Sequence, residues 1–158
     1  MAVVSVTDLL KELKTILVAA TWSDEPARKV FPVGSVRIVS NPDLLQMPVM
    51  RSPLALISPS SSVGDDEEPG LDVGTILVRL ARHHHIDRMG ERGLVGTKYK
   101  PRGLLDLVEQ ARLDIQRLHR PNVPIVAVSR GNSETVHSDN NGPMVTQDIT
   151  ISAPVAFE

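Results

Sequence analysis

Cysteine is missing from all 158 residues, which excludes disulfides, thiolate metal sites and thiol catalysis together and fits a reducing compartment. Aromatic side chains are nearly as scarce. Trp22, Phe31, Tyr99 and Phe157 are the full set, so a stacking platform for bases or sugars has little to draw on and aliphatic residues must fill the core. An excess of one charge is lacking too. With 17 Lys plus Arg against 19 Asp plus Glu, the formal charge of −2 is too balanced for a dedicated DNA- or RNA-binding domain. No apolar run approaches the ~20 residues that span a bilayer, and the N-terminus has no basic stretch, apolar run and small-residue cleavage site. The sequence therefore predicts a cytosolic product. A chain of this length fits one domain, residues 1–158, able to bury a core without a disulfide or metal staple.

The residues that are present fall into a readable order. Leu9, Leu10, Leu13, Ile16, Leu17 and Ala20 share one helical face, with Ser5 or Thr7 as N-cap and Asp8 in the first turn, predicting a helix over about 6–20. Pro26 and Pro32 interrupt the chain. A short strand is expected at Val36, Ile38 and Val39 between Gly34 and the Asn41-Pro42 turn, and another from Leu54 to Ile57. Residues 58–74 combine Ser, Gly, Pro and an acidic cluster, the composition of a flexible, solvated acidic loop. Ile76, Val78 and Leu80 alternate with Thr75, Leu77 and Arg79 and start a long strand that projects beyond the core, reaching about Ile86. Leu104, Val108, Ala111, Ile115 and Leu118 mark a second helix that Pro121 and Pro124 stop. A strand beginning at Ile125–Val128, a polar turn over 137–143 and the alternation of Val145, Gln147, Ile149 and Ile151 predict a C-terminal hairpin. The expected class is α+β, a mainly antiparallel or mixed sheet with both amphipathic helices on one face and the other face left to water, a ring lumen or a partner.

No stretch carries a recognisable catalytic pattern, so no catalytic residue is assigned and the chain is read as a non-enzyme. His83, His85 and Asp87 would project from one face of a strand, and imidazole plus carboxylate can bind zinc, but no fourth ligand is evident. No metal is assigned there. The run from Gly90 to Gly103 follows a strand, precedes a helix and holds Arg92, Lys98, Lys100 and Arg102, yet its glycines miss the phosphate-loop spacing that ends in Gly-Lys-Ser/Thr. It reads as a basic loop that packs on a neighbouring subunit, and no cofactor is assigned. Asp65, Asp66, Glu67 and Glu68 are contiguous carboxylates without the alternation of a divalent-cation loop, and read as solvated. Ser129-Arg130-Gly131 lacks the glycine two residues before the serine that a nucleophile elbow needs.

The helix from Thr7 to Ala20, the strand PLALISP, the long strand ILVRLARHHHIDR, the helix LLDLVEQARLDIQRL and the closing strand VTQDITISAPV together resemble the small tail terminator (tail completion) proteins of tailed bacteriophages. The likeness covers nearly the whole chain and is one of architecture. It implies a structural virion protein, assembled in the host cytoplasm, whose homohexameric ring caps the tail tube, ends tail polymerisation and joins the tail to the head connector or neck. The implied partners are further copies of the chain, the tail tube protein and a neck or head-completion protein, with a tail sheath as a further candidate. DNA would cross the lumen without sequence-specific binding. Arg79, Arg82, Lys98, Lys100 and Arg102 are the candidate subunit-interface residues, because Arg pairs well with carboxylates on a neighbour. Two alternatives stand beside this reading: another neck or head-completion protein, and a small phosphate- or metal-binding domain using the 90–103 loop and the His83–His85 strand.

Overall fold

The computed structural model describes residues 4–64, 71–83, 91–96, 102–117 and 127–156. Its centre is a mixed six-stranded sheet. In chain order the strands are β1 (Val4–Ser5), β4 (Val36–Ile38), β5 (Leu54–Gly64), β6 (Leu71–His83), β7 (Ala127–Ser138) and β8 (Gly142–Ala156), with β2 (Thr21–Trp22) and β3 (Glu25–Lys29) forming a separate two-stranded ribbon. Across the sheet the order is β8, β6, β5, β4, and β1 and β7 both pair with the outer side of β8. β4–β5 and β1–β8 are parallel, and the other pairs are antiparallel. The helices are α1 (Val6–Ala19), α2 (Glu91–Val95) and α3 (Leu104–Gln116). The α+β class expected from the sequence is what the chain forms, and among the described residues no helix is long and apolar enough to cross a membrane.

α1 starts where Ser5 Oγ accepts the Asp8 amide at 3.1 Å, satisfying one of the orphan donors of the first turn. Leu9, Leu13 and Leu17, spaced four apart, are fully buried against the sheet, while Lys11, Glu12 and Lys14 face solvent. α3 buries Leu104, Leu107, Val108, Ala111 and Ile115 in the same way. Both helices meet Ala55, Ile57, Ile76, Val78, Leu80, Val145, Ile149 and Ile151 on one sheet face, as the two periodicities require when each strand buries every second residue.

The opposite face is not left open over its whole length. Leu54, Leu56, Ala81 and Met144 pack there beneath Leu44 and Met50 of the 39–50 segment, which holds a 3-10 turn at Leu44–Gln46. Asn141, in the β7–β8 turn, clamps that segment: its Oδ1 accepts the Met50 amide at 2.9 Å and its Nδ2 donates to Pro48 O at 3.0 Å. The expectation that this face is left to water, a ring lumen or a partner is narrowed accordingly, because the chain covers part of it itself.

Four further expectations are revised. Residues 58–64 and 71–74 are not a loop: they continue β5 and β6 as one antiparallel ladder from Leu54↔Ala81 to Gly64↔Asp72, with a register shift between Pro59 and Ser61. Composition misled because serines make a poor core, yet a ladder asks only for backbone partners. The acidic residues Asp65–Glu68 lie outside the described residues. β6 begins at Leu71, three residues before Gly74, and its described part ends at His83, with 84–90 outside. α2 stands inside the stretch read as a loop, and β2–β3 form a hairpin where Pro26 suggested only a break, since an edge strand tolerates the missing amide.

Asp114 is the buried carboxylate of α3, bonded by Gln110 Nε2 at 3.2 Å and by Arg117 Nη1 at 3.5 Å. Burial pushes its pKa above the ordinary carboxylate range, and those two partners only partly oppose it. The folded protein therefore holds this proton more tightly than the unfolded chain. The resulting stabilisation is full below the unfolded pKa and is lost as pH rises through the folded one. Asp114→Asn is expected to match the wild type in acid and exceed it in stability at neutral pH, as checked by denaturant titration at both.

Candidate functional site: an arginine-lined cleft

A cleft of about 1140 Å³ lies between the β2–β3 hairpin, the N-terminal half of α3 and the C-terminal end of β6. Its first wall is set where α1 gives way to β2, leaving Trp22 8% exposed among the core leucines. Arg102, just before α3, lays its guanidinium over that indole with Cζ 4.4 Å from the ring centroid. Arg102 Nη2 donates to Asp24 Oδ1 and to Glu25 Oε2, each at 3.0 Å, so hairpin and helix start are tied by one cation. Gln110 makes the second tie. Its Oε1 accepts from the Ser23 amide at 3.0 Å and from Ser23 Oγ at 2.9 Å.

β6 contributes the opposite wall through Arg82 and His83, the latter donating its amide to Ser52 Oγ at 3.0 Å. Burial pushes the Arg82 guanidinium pKa down, opposed by the nearby Asp106 carboxylate. The Nη1 atoms of Arg82 and of Arg102 are both shut off from solvent and have no hydrogen-bond acceptor among the described residues. Buried guanidinium N–H groups without acceptors carry an uncompensated desolvation cost. The lining is nearly balanced in charge: Arg28, Lys29, Arg82, Arg92 and Arg102 stand against Asp24, Glu25, Asp106 and Glu109.

Arg79 sits elsewhere. It lies on the sheet face away from α1 and α3, directly across from Asp148 in the β6–β8 register. Its Nε and Nη2 donate to Asp148 Oδ1 and Oδ2 at 2.8 and 2.9 Å, and its Nη1 donates to Pro42 O at 2.7 Å. All three nitrogens are engaged within the chain, where Arg79 clamps Pro42 of the covering segment to the sheet. Arg79→Met is expected to cost about 1–3 kcal/mol, the range for losing charge-assisted hydrogen bonds in a half-buried setting. A double-mutant cycle with Asp148→Asn should return most of that as coupling.

The structure thus brings Arg82 and Arg102 into one cleft, joined by His83 and Arg92 from the two stretches that the sequence marked separately. Lys98, Lys100, His84, His85 and Asp87 lie outside the described residues. Among the described residues no group of three or more His, Cys, Asp or Glu could hold a metal ion. Trp22, Asp24, Glu25 and Gln110 were missed by sequence reasoning, and the one available signal was the sole tryptophan followed at once by a Ser-Asp-Glu turn. The sequence matches no protein-family model and no curated protein.

Proposed function

We propose that this chain is a structural subunit of a phage-type tail, forming a hexameric ring that caps the tail tube, ends its polymerisation and joins it to the neck. The observation that supports this most is architectural. Of the elements that carry the resemblance, β5, β6 and β8 are neighbouring antiparallel strands of the sheet, and α1 and α3 pack together on one of its faces. β7 forms a long edge whose residues 131–135 are all exposed. Ring closure joins two unlike surfaces of each protomer, and this fold has unlike ends and unlike edges to offer. The function is geometric and needs no catalytic group. With a formal charge of −2 the chain does not favour tight phosphate contacts in a lumen, so DNA would pass without being held. Another neck or head-completion protein would use the same physics.

Electron microscopy of the purified protein mixed with tail tubes tests the reading. A single sixfold layer at one tube end is expected, and tubes with bare ends beside unbound protein would overturn it.

A second reading, an oxyanion-binding domain, is favoured by one observation: Arg28, Lys29, Arg82, His83, Arg92 and Arg102 converge in the cleft. Calorimetric titration with inorganic phosphate separates the two, since saturable binding by the monomer supports the second.

A further inference from the structure

The geometry points to Asn141 as a self-modifying site, where loss of the side-chain amide, giving aspartate and isoaspartate, unfastens the cover over the second sheet face. The sequence supplies the reactants. Asn141-Gly142 is the one place in the chain where glycine follows an asparagine or aspartate. The turn requires that glycine, since its φ of 71° suits a residue without Cβ, and the same missing side chain leaves its amide nitrogen unshielded. Among the described residues, nothing beyond its chain neighbours lies within 4 Å of where a Cβ would stand, so water has room to enter. The other asparagines are less suited. Asn41 precedes proline, which has no N–H, Asn122 precedes β-branched Val123, and Asn132 and Asn140 precede Ser133 and Asn141, whose side chains crowd the attack.

In the first step the Gly142 nitrogen attacks Asn141 Cγ. A C–N bond forms, the bond from Cγ to Nδ2 breaks, and ammonia leaves with the proton lost from the glycine nitrogen. The cyclic succinimide then takes up water, which opens it at the side-chain carbonyl to give aspartate or at the main-chain carbonyl to give isoaspartate. Nothing is oxidised or reduced. The closed clasp slows the attack, because Oδ1 is held by the Met50 amide at 2.9 Å and Nδ2 by Pro48 O at 3.0 Å, so reaction proceeds from moments when this end is open.

The consequence follows from what the clasp demands. An amide has both a donor and an acceptor, and both are in use here, whereas an ionised carboxylate only accepts. After conversion an oxygen faces the Pro48 carbonyl with no hydrogen between them, at a half-buried position. Isoaspartate also lengthens the main chain through the turn, where Asn140 Nδ2 donates to Met47 O at 3.0 Å. Pro42 stays fastened by Arg79 at 2.7 Å, so the 47–50 end alone lifts from Leu54, Leu56 and Met144. Since the lost ammonia does not return, the cover opens once.

Peptide mapping of the full chain aged in mildly alkaline buffer tests the reaction. Aspartate and isoaspartate are expected at 141 ahead of 132 and 140, and sooner in urea than in the native chain. Conversion of Asn132 first, or an Asn141 that never changes in the native chain, overturns the assignment. Hydrogen exchange of the aged fraction, and of Asn141→Asp as its direct counterpart, tests the release. The Met47 and Met50 amides should exchange roughly tenfold faster or more, the scale of a lost hydrogen bond at a half-buried group, while α1 and the β6–β8 ladder exchange as before. Unchanged exchange at Met47 and Met50 in the converted chain contradicts the release. Exchange that quickens equally through α1 does so too, because it reports general unfolding in place of one lifted end.

Discussion

Trp22→Ala is expected to lower stability by about 3–5 kcal/mol, the range for truncating a buried aromatic side chain. Two losses add at this position. The indole is 8% exposed and packed in the main core, so its removal leaves a cavity beside α1. It is also the surface on which Arg102 rests, and Arg102 is the cation that ties Asp24 and Glu25 to the start of α3. With the platform gone, the hairpin and the helix are joined mainly through Ser23 and Gln110. Urea denaturation followed by circular dichroism measures the loss, since the variant has no tryptophan left to report it. Trp22→Phe, which keeps an aromatic face under Arg102, should recover more than half. A Trp22→Ala cost below about 1 kcal/mol, the scale of an ordinary surface substitution, would contradict this packing.

Gly103→Ala is expected to destabilise by about 2–3 kcal/mol or more, the cost of overpacking a site whose neighbours cannot move aside. The reason is close approach and not backbone conformation, because φ here is −94°, open to any residue. A Cβ at this position would overlap the Leu94 carbonyl and come within 2.6 Å of the Val95 amide nitrogen. Both are backbone groups of α2, so no rotamer change relieves the overlap and α2 must separate from the start of α3. Hydrogen exchange should then quicken at residues 92–96 together with the drop in melting temperature. A variant as stable as the wild type, with unchanged exchange in α2, would show that the two helices do not meet there.

What was legible in the sequence follows from what each element depends on. α1 and α3 were readable because Leu9, Leu13 and Leu17, and Leu104, Val108, Ala111 and Ile115, obey the period of a helix whose burial is decided locally. β8 was readable because Val145, Ile149 and Ile151 alternate against a single apolar face. The Ser-rich continuation of β5 was not, because its strand state comes from pairing with β6, and β6 in turn is held by β8 on its other side. Nor was the cover over the second face, where Leu44 and Met50 follow no period and the segment is held by Asn141, 91 residues along the chain from Met50. The cleft was half visible. Arg82 and Arg102 were singled out for their chemistry, but their meeting with Trp22, Asp24 and Gln110 depends on contacts about 80 residues apart in the chain, which spacing does not encode. Arg79 has the same chemistry but lies on the other sheet face, where its cross-strand neighbour is Asp148.

The central claim is that this chain stops a tube from growing. Tail tube subunits can be polymerised in its absence and the chain added while elongation is under way, with tube lengths measured by electron microscopy at intervals afterwards. Lengths that freeze at the moment of addition, at amounts stoichiometric with tube ends and far below those of tube subunits, are the result this account expects. Tubes that continue to lengthen at the unperturbed rate with the chain in excess would contradict it.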